Sequence, residues 1–308
     1  MVGREAKPDH WPRGQLCKSC YNAMVENQLK LSPEVVGVPS GEKYFKVSFR
    51  DASNFAAAIN DTSEIFYHSK HVSVHPLQVV TLTWQLLQDK ENKWKKFIPP
   101  AWHDRLVHYD EHLEINRPVE VGEELVADSR IVSMTEHKLG TKIQTKATFT
   151  SAKGELIVTE YASSIFFGVQ CEAEREIEKS PIDIKKSNDE ITTWEELVDI
   201  PKTAPYLYDG CTNISALIHT DDAYARAIGL PGIIYHGTAT LARAISCIIQ
   251  RELQGDPARI KAISTKFVGK LTVPNILKVR LSPREDRILP FQAFDNNDQV
   301  ILIGNIKI

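Results

Sequence analysis

The chain has 308 residues, 42% of them apolar and 8% aromatic, with a formal net charge of −3. That is enough apolar material for one large or two smaller domains with a sizeable core. The near-neutral balance and scattered basic residues exclude a polyanion-binding face, and no apolar run is long enough to span a bilayer, so neither nucleic acid nor membrane is an expected partner.

The N-terminus lacks the apolar run of a secretory signal, and Ile306-Lys307-Ile308 is not the S-K-L peroxisomal address. The cytoplasm is therefore the expected compartment, with the peroxisome as the alternative. Five scattered cysteines argue against a disulfide framework, and Cys17 and Cys20 form a lone C-x-x-C without the second ligand pair that zinc needs.

In chain order, residues 1–40 read as an irregular arm broken by Pro8, Pro12, Pro33 and Pro39, with one helix predicted over 18–31. Alternation predicts a strand over 44–49, after which Asp51 or Ser53 caps a short helix over 54–59. The apolar run after His75-Pro76 predicts a long buried helix over 77–87. The period then changes, giving strands over 110–116, 123–134, 142–150 and 156–167, with breaks at Arg117-Pro118, Gly122, Gly140 and Lys153-Gly154. A long helix followed by antiparallel strands suits a curved sheet wrapped around a central helix.

The stretch 171–195 is highly charged, has little apolar periodicity and reads as an exposed linker. Beyond it the pattern returns: a strand near 206–208, a short helix, a long helix opening at His236-Gly237, and strands over 260–267, 276–281, 289–294 and 300–306. A shift of 152 positions sets Ile115, Val119, Val121 and Leu125 on Phe267, Leu271, Val273 and Leu277. The same shift places Asp61 against Asn213 and Tyr67 against His219, so two separated stretches support a duplication. The expected division is an arm (1–40), a first unit (41–170), a linker (171–195) and a second unit (196–308).

Chemistry converges on residues 218–242. His219 precedes a short amphipathic helix over 222–228, for which Thr220 or Asp221 is the expected N-cap. The chain then breaks at Gly229-Leu230-Pro231-Gly232 and restarts at His236-Gly237 as the longer helix. A helix start leaves backbone N–H groups unpaired and carries partial positive charge, so the Gly237 amide suits a developing oxyanion. His219 supplies a side chain that titrates near neutral pH. The bland alternative is that His236 and Gly237 only begin a core helix.

The run His219, Asp222, Ala225, Gly229, Gly232 and His236-Gly237 resembles the MaoC-like dehydratase (hydratase 2) family, in which D-x-N-P-x-H is followed by a short helix and G-x-x-x-H-G. The resemblance implies an α+β fold of two hotdog folds in tandem, each a curved antiparallel sheet around a long central helix. It also implies hydration of a trans-2-enoyl thioester, or dehydration of the (R)-3-hydroxyacyl form, on CoA or an acyl carrier, with no cofactor and no metal. His219 matches the family histidine and Gly237 the oxyanion donor, while the family aspartate, asparagine and proline fall on Ile214, Ala216 and Leu217.

With that carboxylate position apolar, Asn213 is the preferred water-orienting substitute, and Thr212, Ser215, Asp209 and Asp221 are nearby alternatives. Ile214, Ser215, Tyr235, His236, Thr238, Asp61, Tyr67 and His75 are the expected pocket residues. The second unit is the expected seat of catalysis and the first shapes the substrate-tail pocket. His68, His71 and His75 lack a fourth ligand for a metal. Two other readings stay open: an isomerase or cyclase of specialised metabolism using His219, and a non-catalytic binding subunit. Monomer and homodimer are both compatible with the duplication.

Overall fold

The computed structural model describes residues 29–68, 72–182, 184 and 191–308. Cys17, Cys20, His71 and most of the helix expected over 18–31 lie outside the described residues. The last two residues of that expected helix instead form strand β1 (Lys30–Leu31). Leu31, Val35 and Val36 are buried against Trp94, Ile98, Ile131 and Phe166, so this end of the expected arm is docked on the sheet.

Strand β2 (Lys43–Lys46) is shorter than its alternating pattern suggests because Ser48 already caps the next helix, α1 (Phe49–Ala58). Ser48 receives the Asp51 amide while the Asp51 carboxylate receives the Ser48 amide, a reciprocal capping box. Asp51 is thus the third residue of the helix rather than its cap, which moves the start five residues ahead of the expected one. The long buried helix is α2 (Gln78–Gln88).

Four long strands follow: β3 (Leu106–Ile115), β4 (Glu124–His137), β5 (Gly140–Ser151) and β6 (Leu156–Phe167). The charged stretch expected as linker begins with β7 (Gln170–Cys171), paired with β1, and β8 (Arg175–Glu176), paired with β4. Strand β9 (Trp194–Ile200) closes it.

The second half begins with a helix where a strand was expected near 206–208: α3 (Ala204–Thr212), whose Pro205 sits in the first turn, where a missing amide costs nothing. Then come α4 (Leu217–Thr220), α5 (Asp222–Ala227) with Asp221 as N-cap, and the long helix α6 (Gly237–Glu252). Strands β10 (Ala262–Phe267), β11 (Asn275–Leu281), β12 (Ile288–Phe294) and β13 (Val300–Lys307) complete the chain.

One large sheet carries ten of these strands in the order β2-β4-β5-β6-β3-β10-β13-β12-β11-β9, with β8 added on β4, while β1 and β7 form a separate pair. The two halves repeat each other across the antiparallel β3–β10 seam: β2 corresponds to β9, β4 to β11, β5 to β12, β6 to β13 and β3 to β10. At the seam His112 and Ser264 face each other and their side chains meet at 2.7 Å. A single apolar core joins both halves, with Val80, Leu113 and Ile115 clustered with Leu241, Ile245 and Ile263. This is an α+β double hotdog, with α2 and α6 as its two central helices.

Candidate active site

The site is built around the start of α6. His236 is its N-cap residue, and no side chain caps the first turn, so the leading amides beginning at Gly237 lack intrahelical partners. Gly237 sits in a tight spot: a Cβ there would lie 3.1 Å from the Phe267 ring. Thr238 is buried and accepts the Tyr208 hydroxyl at 3.1 Å.

His219 lies in the one-turn helix α4 and its ring stacks on that of His236, centroids 3.7 Å apart. Its Nδ1 is 2.8 Å from the Ile234 carbonyl oxygen. A carbonyl only accepts, so Nδ1 carries the hydrogen and Nε2 keeps a bare lone pair. Burial pushes the imidazole down to about 4, leaving it neutral near pH 7.

His236 is bound by the same logic: Nε2–H donates to the Ile214 carbonyl at 3.2 Å, and Nδ1 is buried without a hydrogen-bond partner. Burial, and then the neighbouring His219, hold its pKa well below the usual value.

Tyr235 is buried, and its hydroxyl accepts the Arg243 guanidinium at 3.2 Å. Asn213 is a correction: it is exposed, adopts the left-handed conformation (φ 57°) and caps the end of α3 through its backbone. The hydrogen bond of the His219 ring goes to the Ile234 carbonyl, not to Asn213. Ser215 is also exposed, Asp221 is occupied as the α5 cap, and Thr212 bonds the Tyr208 carbonyl. Ile214 is buried at 6% exposure.

Asp61, Tyr67 and His75 assemble elsewhere, at the start of α2. The Tyr67 hydroxyl donates to the Asp61 carbonyl at 2.6 Å, the Asp61 carboxylate holds Ser63, and His75 Nε2 lies 3.3 Å from Ser246 Oγ near the far end of α6. The repeat shifts here by one residue from that expected. Asn60 and Asn213 both take left-handed backbone (φ 54° and 57°) at helix ends, so Asp61 corresponds to Ile214, and Phe66, not Tyr67, to His219. Ring contacts follow the same correspondence: Phe55 and Phe66 pack on His75 at 5.3 and 5.7 Å, as Tyr208 and His219 pack on His236 at 4.9 and 3.7 Å.

Beside Phe267 the first half contributes residues that the sequence reading passed over. The His108 ring packs at a tilt on Phe267, centroids 4.5 Å apart, and lines a narrow cavity of about 50 Å³ between α2 and strands β3, β5 and β6, with Thr83, Trp84, Thr145, Glu160 and Phe166. That is room for several water-sized groups. Glu160 is the one charged residue in the strand 156–167, and that was the available signal for it.

Among the described residues no group of His, Cys, Asp or Glu has metal-binding geometry, and no helix is long and apolar enough to cross a membrane.

The FAS1-like dehydratase domain region matches residues 34–160 and the MaoC-like domain matches residues 208–294. A curated relative is the peroxisomal enoyl-CoA hydratase 2 of Arabidopsis thaliana, 27% identical over 118 residues that span 38% of this chain and 37% of that protein. Among solved structures, a MaoC-like dehydratase from Phytophthora capsici superposes with TM-score 0.78 at 18% identity, covering 89% of this chain and 96% of that one. The full-length peroxisomal multifunctional enzyme type 2 of Drosophila melanogaster superposes with TM-score 0.72 at 16% identity, over 86% of this chain and 48% of that one. A Mycobacterium tuberculosis protein with a double hotdog fold gives TM-score 0.56 at 12% identity, covering 86% of this chain and 92% of that one. The chain is thus similar to a dehydratase-region model in its first half and to a MaoC-like model in its second, and it shares its architecture with MaoC-like dehydratases.

Proposed function

We propose that the chain is a hydro-lyase that adds water to a 2-enoyl thioester, or removes it from the 3-hydroxyacyl form, with the chemistry in the second half. The reading rests on one arrangement: a neutral imidazole, His219, with Nδ1–H fixed on a carbonyl and Nε2 bare, stacked beside the uncapped start of α6.

In the hydration direction Nε2 takes a proton from water as the oxygen bonds to the β-carbon. The double-bond electrons move onto the thioester oxygen, and the resulting enolate is held by the Gly237 amide and the positive end of the helix. The imidazolium then returns its proton to the α-carbon, so no proton is gained or lost overall. Thioester recognition, whether on CoA or an acyl carrier, is part of the same proposal, as is the first half's role in holding the acyl tail.

The test is loss of conjugated enoyl absorbance with a panel of trans-2-enoyl-CoA thioesters, wild type beside His219→Ala. Hydration that drops by about 10²–10⁴ in the variant supports the assignment; full turnover without the imidazole refutes it.

A second reading draws on Ile214, which puts a buried aliphatic side chain where the family keeps a carboxylate. Proton shuttling by His219 alone suits an isomerisation or cyclisation. Conversion of a carrier-free metabolite together with inertness toward every thioester is the result that favours it.

A further inference from the structure

The hydration chemistry leaves a second set of buried groups unused. Glu111 on β3 is fully buried, and neither carboxyl oxygen has a hydrogen-bond partner; its Oε2 lies 3.1 Å from His108 Nε2. Glu160 on β6, 2% exposed, receives the Thr83 hydroxyl from α2. His108 and Glu160 both line the narrow cavity behind Phe267, whose ring touches the Gly237 turn on one side and the His108 ring on the other.

A cavity that accepts plain methylenes has no use for a carboxyl group and an imidazole in its wall, with a second carboxyl, Glu111, directly against that imidazole. Burial lifts both carboxyls well above their usual range, Glu160 is further raised by the charge of Glu111, and burial lowers His108. The wall therefore presents the Glu160 carboxyl and the His108 imidazole, and behind them Glu111 and the His108 Nε2 are buried without hydrogen-bond partners, where an unmatched polar group is costly. A tail that brings a donor restores what burial removed. An alkyl tail leaves it missing.

We infer that the cavity between α2 and the first-half sheet selects acyl chains bearing a distal hydrogen-bond donor, a hydroxyl or an amine, received by Glu160 and His108 with Glu111 behind them. The inference rests on the hydro-lyase reading only in placing the thioester end at Gly237. Thr83 is a positioning residue that orients the Glu160 carboxyl.

The test uses saturated acyl-CoA thioesters, which the proposed reaction does not turn over, from butanoyl to decanoyl, each paired with its ω-hydroxy counterpart. Dissociation constants are measured by calorimetry on the full-length protein. The hydroxy member of at least one pair binds roughly 10-fold or more tightly than its alkyl partner, because sites built to meet a polar group discriminate against analogues lacking it. Glu160→Leu and Thr83→Val each reduce that ratio toward one. If either variant fails to fold, the wild-type ratio still decides.

Alkyl partners binding equally or more tightly throughout overturn the inference while leaving the hydro-lyase reading intact. Hydroxy preference without hydration of any 2-enoyl thioester sinks the hydro-lyase reading and keeps this one. Binding of neither class sinks both.

Discussion

Asp61 and Ile214 occupy the same position in the two halves: each follows a left-handed asparagine at the end of a corresponding helix. The next matched pair is Phe66 and His219, each packed on the histidine that precedes a central helix. The first half thus keeps a carboxylate without its imidazole, and the second an imidazole without its carboxylate.

Replacing Ile214 with Asp restores the missing partner on the His219 side. Steady-state hydration should rise by roughly 10-fold or more in kcat, the lower part of what general acid–base groups supply. The melting temperature should fall, because a carboxylate replaces a side chain that is 6% exposed. An unchanged or lower kcat in a folded Ile214→Asp protein removes the idea that catalysis is limited by the lost carboxylate.

His219 is depressed by burial to about 4, so it remains a base across the neutral range. The kcat/KM profile should be flat from pH 8 down to about 5.5 and bend only as pH approaches 4, read in brief pH-jump assays that outrun acid unfolding. A bend near 6.5 places the essential group elsewhere.

Gly237→Ala introduces a methyl 3.1 Å from the Phe267 ring, forcing the ring aside or the turn outward. Either movement displaces the amide proposed to hold the oxyanion. A loss of about 10²–10³ in kcat with a folded protein is expected, as for removal of one oxyanion donor. Circular dichroism checks the fold, and a KM effect without a kcat effect argues against the oxyanion role.

Histidines held below their usual pKa link folding to pH, His75, His219 and His236 among them. His75 and His219 titrate at about 4 when folded, and His236 also well below 6.5. Their folded values are depressed, so between 6.5 and 4 the unfolded chain binds protons that the native chain refuses. Stability should therefore fall with acidification through that window, each group contributing up to about 1.4 kcal/mol per pH unit. Chemical denaturation at pH 7 and pH 5 measures the slope, and His75→Gln should flatten it.

Glu111 acts in the opposite direction. Its folded pKa is raised well above 4.5, so it costs stability increasingly as pH climbs past the unfolded value. Glu111→Leu should raise the melting temperature, more at pH 9 than at pH 5, by an amount equivalent to about 1–3 kcal/mol for an unsatisfied buried group. A variant less stable than wild type at pH 9 contradicts this.

The architecture was readable because its two periods are clean: apolar runs in the central helices and alternation in the long strands. Misreadings have local causes. Tyr206-Leu207-Tyr208 has the aromatic character of a strand, but Pro205 supplies a helix start. Strand β9 was hidden in a charged stretch because it is an edge strand, its Glu195 and Glu196 paired with Arg280 and Arg251.

In the candidate site, the spacing predicts His219 beside His236-Gly237, and the two histidine rings do stack. Asn213 was not legible, because a left-handed helix cap and a water-holding amide look identical in a string of letters. Glu111 and Glu160 escaped because charged residues in strands are ordinarily assigned to solvent; only the register shows that they point inward.

The seam between β3 and β10 gives the halves a mutual dependence that their covalent link does not supply. Each half produced alone would bare a whole strand edge, β3 in one and β10 in the other, together with the inner faces of its central helix. A chain cut between residues 182 and 191 should therefore yield two fragments that precipitate separately and rebuild the native protein when mixed. Such split-protein complementation would turn the integrity of this interface into a quantity that can be titrated.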